Sequence, residues 1–203
     1  MNFNKFTIKA QEAIQQAQEI ASSYQNQVME PEHVLAALLQ DSEGLVVPLV
    51  QKAGANLAHL RIKVNALLER LPKVQGSGLG NQSASPALAR MLEAAREEAA
   101  HLKDEFVSTE HLLLGMLASP DGSGRLSSAA QLLRDQGINR DIILRALQDI
   151  RGGHRVTDQT PEEKYQALQR FSRDLNELAR RGKLDPVIGR EEEIRRILQV
   201  LSR

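Results

Sequence analysis

Apolar residues recur along the first 150 positions at the three-and-four spacing of amphipathic helices. Phe6, Ala10, Ala13, Ile14, Ala17, Ala21 and Tyr24 fall on one face of a first helix. A second starts at Pro31 and is apolar through Leu39, and a third spans Leu45 to Ala53. A fourth carries Leu57, Leu60, Val64, Leu67 and Leu71 along one side. The boundaries have the matching chemistry. Thr7 is placed to cap the first helix and Asn56 the fourth. Gly54 supplies the left-handed residue that ends the third. No segment alternates convincingly at period two, so the pattern predicts an all-α fold.

The same four helices are written twice. Val28 to Leu39, with Glu32-His33 near its start, matches Phe106 to Leu117, with Glu110-His111, at an offset of 78 positions. That offset also pairs Thr7 with Ser85 and Ile14 with Leu92. Further on the offset is 83, pairing Gly54 with Gly137, Asn56 with Asn139 and Val64 with Leu147. The extra residues fall between Ser119 and Arg125, a Gly- and Ser-rich stretch that reads as a loop. Repeats of residues 1–73 and 84–150 therefore form one domain, 1–150, joined by a linker at 74–83. That linker continues Leu71-Pro72-Lys73 into a glycine-rich run expected to pack little. Its glycines lack the following Lys-Ser/Thr of a phosphate loop.

Composition narrows the function classes. Hydrophobic residues make up 41% and charged residues 26%, and the net charge is zero, with no basic surplus to grip nucleic acid. Cysteine is absent, which removes disulfides and thiolate metal sites. No apolar run reaches membrane-spanning length or marks a leader at Met1. These features predict a protein of the cytoplasm, bound neither to membrane nor to nucleic acid. The five histidines have no metal spacing, and His33 and His111 read as helix-start residues. No nucleophile elbow occurs around the serines.

After a polar linker at 151–160, Thr160-Pro161-Glu162-Glu163 has the signature of a helix start. Tyr165, Leu168, Phe171, Leu175 and Leu178 give that helix an apolar face, and Gly182 closes it. Asp185-Pro186-Val187-Ile188-Gly189-Arg190 follows, then a last helix with Ile194, Ile197, Leu198 and Leu201.

The doubled Glu-His segments resemble the amino-terminal repeats of Clp/Hsp100 unfoldases. The block Asp185 to Arg190 resembles the opening of the first AAA+ domain in the same family, which makes 161–203 the truncated start of that domain. Pro161 to Leu168 and Ile197 to Arg203 are most similar to the ClpB-type branch. The resemblance implies a duplicated, pseudo-twofold helical domain that captures unfolded or aggregated polypeptide. It implies a longer parent, a homohexameric stress-response chaperone driven by ATP and Mg²⁺, with a coiled-coil middle region and a DnaK-type partner. A protease-partnered Clp ATPase and a free-standing adaptor are the alternatives. In the parent, Asp185, Pro186, Val187, Ile188 and Gly189 would form the turn over the adenine. The phosphate loop and the Mg²⁺-holding groups would lie past Arg203, so the chain itself is expected to be a monomer with no cofactor and no catalytic activity. Thr7, Leu92, Asp104 and Glu110 are the residues implied to line a polypeptide groove. The alternative for each is structural: a cap, a core residue, or a carboxylate at a helix N-terminus.

Overall fold

Among the described residues two helices are buried along nearly their whole length, and such helices are stable only when surrounded. They are α2 (Pro31–Gln40) and α6 (Thr109–Ala118), whose residues are buried from Pro31 to Leu39 and from Thr109 to Leu117. The computed structural model describes residues 4–42, 44–74, 82–118, 126–151, 155–161, 179–180, 182 and 189–202. It divides into two units, Met1–Tyr165 and Gln166–Arg203. In the first unit α1 (Ile8–Ser23), α3 (Val46–Lys52) and α4 (Leu57–Glu69) pack around α2. Around α6 stand their counterparts α5 (Pro86–His101), α7 (Ser128–Asp135) and α8 (Arg140–Arg151). The two halves share one core, with α2 also touching α5, α6 and α7.

The expected caps are in place. The side chains of Thr7, Asn56, Ser85 and Asn139 accept hydrogen bonds from the backbone of Ala10, His59, Leu88 and Ile142. Gly54 and Gly137 have φ of 89° and 77° where α3 and α7 end. Gly115 lets α5 approach α6 closely: a Cβ there would stand 2.5 Å from the Ala95 nitrogen.

Two features depart from the sequence pattern. Short parallel strands, β1 (Val28–Met29) and β2 (Ser83–Ala84), pair across the first unit. A bridge between Phe6 and Val107 repeats that pairing in the other half. Each strand is too short to display a period of two. The 74–83 linker is also anchored at both ends. Val74 N–H donates to the Gln25 carbonyl at 2.9 Å and Ser83 N–H to the Gln27 carbonyl at 3.1 Å.

In the second unit α9 (Glu191–Leu201) follows Gly189, whose φ is 78°. Its Ile194, Ile197, Leu198 and Val200 side chains are exposed. The helix expected from Tyr165 to Leu178, and Asp185, Pro186, Val187 and Ile188, lie outside the described residues.

Candidate functional site

The turn that ends α5 is a copy of the turn that ends α1. Gln25 and Lys103 both adopt left-handed backbone, with φ of 61° and 58°. The N–H of the next residue, Asn26 or Asp104, then donates back to Ala21 or Ala99. Seven residues later a buried histidine closes each turn. In α2, His33 Nδ1 accepts from the Glu30 N–H at 2.9 Å. In α6, His111 Nδ1 accepts from the Ser108 N–H at 2.9 Å. Because Nδ1 is an acceptor, the ring proton sits on Nε2 and is donated onward. His33 gives it to Asn26 Oδ1 and His111 to Asp104 Oδ2, each at 3.0 Å.

There the likeness stops. The second half carries a charge network that the first half lacks. Arg151, at the end of α8, holds the repeat position of Leu68. Its Nη2 donates to Asp104 Oδ2 at 2.9 Å, and its Nη1 lies 3.4 Å from Glu110 Oε1. All three side chains are at most 5% exposed. The other Asp104 oxygen accepts from the Val156 N–H at 2.7 Å. Burial works against the Asp104 charge, but hydrogen bonds from His111 and Val156 and the Arg151 cation outweigh it. Its carboxyl is held below the usual value. Glu32, the counterpart of Glu110, has no such cation. It accepts from the Ala129 N–H at 3.0 Å, and burial raises its pKa.

Beside this network lies an open cleft of about 350 Å³. Leu102, Leu144 and Leu147 give it apolar walls, and Asp104, Arg151 and Arg155 give it charge. Of the four residues singled out in the sequence, Asp104 is the one that lines it. Glu110 is joined to Asp104 through Arg151. Thr7 is buried, caps α1, and donates its N–H to the Val107 carbonyl at 2.9 Å. Leu92 lies in the core on the inner face of α5. The sequence pattern assigns position 151 to the polar linker, whereas the structure makes Arg151 the last residue of α8. The signal was present in the repeat register, which sets a cation against a leucine.

Residues 155–160 run along the same edge. The Glu105 N–H donates to the Val156 carbonyl at 2.8 Å, and the Ile8 N–H donates to the Gln159 carbonyl at 2.9 Å. Val156 itself is fully buried.

Residues 5–127 match the family described as the Clp repeat (R) N-terminal domain. The chain belongs to the Clp N-terminal repeat family. As a Clp N-domain chain it is 41% identical over its whole length to the chaperone protein ClpB of Porphyromonas gingivalis. It is 44% identical over 98% of its length to the ClpB of Rhodopirellula baltica. It spans 22% of the length of each of these relatives. The fold is that of the Hsp104 N-terminal domain from Candida albicans, with a TM-score of 0.65 and 24% identity. That likeness covers 78% of this chain and 99% of the other. The N-domain of ClpV from Vibrio cholerae has a TM-score of 0.60 at 19% identity, covering 78% of this chain and 90% of its own.

Proposed function

We propose that this chain is the polypeptide-capturing region of a ClpB-type, ATP-driven unfoldase that dismantles aggregates in the cytoplasm. The longer protein acts as a homohexamer with a DnaK-type partner, and ATP with Mg²⁺ drives it. Asp185, Pro186, Val187, Ile188 and Gly189 belong to its adenine-contacting turn. The present chain contributes recognition. The observation that carries this reading is the cleft at the end of α5 and α8. It combines leucine walls with charged groups, the exposed Arg155 among them, which suits an unfolded segment that offers apolar side chains and polar backbone together. Thr7, Leu92 and Glu110 support the site from behind: Thr7 and Leu92 hold α1 and α5 in place, and Glu110 helps fix Arg151.

The test is binding of a permanently unfolded polypeptide, reduced and carboxymethylated α-lactalbumin, followed by fluorescence anisotropy. Leu144→Glu puts a charge on the cleft wall at a half-buried position. Weakened binding with unchanged circular dichroism is expected. Native affinity in that variant would remove the cleft from the mechanism.

A further inference from the structure

The two halves treat their exit chains in opposite ways. In the first, Asn26 Nδ2 donates to the Pro72 carbonyl at 2.8 Å. In the second, Asp104 Oδ1 accepts from the Val156 N–H. By repeat register Pro72–Lys73 and Arg155–Val156 are the same peptide group. The amide Asn26 meets its oxygen and the carboxylate Asp104 meets its nitrogen. The helices α1 and α5 differ in the same sense. Pro86, at the first position of α5, has no N–H to satisfy. Ile8, at the first position of α1, has one, and the Gln159 carbonyl takes it.

The second half thus offers a strand-binding edge with a defined register. One residue of the occupant gives its N–H to Asp104, takes the Glu105 N–H on its carbonyl, and buries an aliphatic side chain. The residue three positions later takes the Ile8 N–H. Every contact except the aliphatic one is to backbone, so almost any extended chain can make them. Proline is excluded at the first of these positions because it has no N–H.

Resting on the polypeptide-capture reading above, we infer that residues 155–160 are a built-in stand-in for the substrate. They occupy the edge in the resting chain, and an extended polypeptide with an aliphatic residue in the Val156 register takes their place. The site is then larger than the open cleft: displacing Val156 joins the cleft to the Glu105 and Ile8 donors. Substrate affinity is lowered by the fraction of chains in which the segment is docked.

Two variants of the full chain test this. Val156→Asp removes the buried aliphatic group, and Val156→Pro removes the N–H. Each should bind carboxymethylated α-lactalbumin more tightly, by about tenfold for a segment docked nine-tenths of the time. On the native chain, adding the probe should strip hydrogen-exchange protection from the Val156 amide. Native affinity in both variants, with the Val156 amide still protected when probe is bound, overturns the stand-in role alone. Failure of the native chain and of both variants to bind the probe overturns the capture reading and this inference with it.

Discussion

His111 Nε2 donates to Asp104 Oδ2 across 3.0 Å, and the same carboxylate oxygen takes Arg151 Nη2 at 2.9 Å. The histidine is the inherited part of this arrangement, since His33 makes the same contact to Asn26. The charge is the part special to the second repeat. Taking one member of a buried ion pair away leaves the other desolvated and alone, which costs more than the pair contributes.

Asp104→Asn should therefore lower unfolding free energy by about 3 kcal/mol, because Arg151 is left buried beside Glu110 alone. Combining it with Arg151→Leu and Glu110→Gln leaves no buried charge unpaired and gives His111 the amide partner that His33 has in Asn26, so most of the loss should return. Urea unfolding of the single and triple variants measures both.

Acid should weaken the domain in two stages. Burial lowers the pKa of His33, so the folded chain resists a proton that the unfolded chain accepts near pH 6.5. Its stabilising contribution is full above that pH and declines as pH falls toward the folded value. Asp104 is also depressed, and its contribution is lost only as pH falls below the ordinary carboxylate range near 3.9. Glu32 runs the other way. Its raised pKa makes its contribution greatest at low pH, lost as pH rises through the folded value. Urea midpoints from pH 8 to pH 3 should fall first below about 6.5 and again below about 4. Glu32→Gln should raise the midpoint at neutral pH.

Gly115→Ala should destabilise by about 1–3 kcal/mol, since the added methyl group meets the Ala95 and Met91 backbone and neither can turn aside. The corresponding position in the first half is Ala37. Ala37→Gly should cost about 1 kcal/mol through helix propensity. Melting temperatures of the pair separate a packing requirement from a backbone one.

Thr7→Ala should lower stability by about 1 kcal/mol by removing the α1 cap, and Thr7→Ser should restore it. Binding of α-lactalbumin by Thr7→Ser should match that of the native chain, since the side chain is fully buried.

The helices, their caps and the duplication could be read from the sequence because each is set by residues within a turn or two of one another. Gly54, Asn56 and Thr7 announce their roles locally. The His111–Asp104–Arg151 network joins positions from three separate elements. Asp104 and His111 are seven residues apart across a turn, and Arg151 comes from another helix. Helical spacing puts Leu67 and Leu71 on the apolar face of the fourth helix, whereas the structure buries Leu68, the position that Arg151 holds in the second repeat. Val156 is one apolar residue in a polar run, and one residue has no period. Its place depends on Asp104 and Glu105, about 50 positions upstream, which no local pattern can reveal.

The docking of residues 155–160 also sets a length. These six residues lie between the double repeat and everything after Pro161. Held against Glu105 and Ile8, they add nothing to the reach of the connection. Released and extended, they add up to about 20 Å, at roughly 3.3–3.6 Å per residue. The same exchange that fills the cleft would then turn a docked segment into free chain.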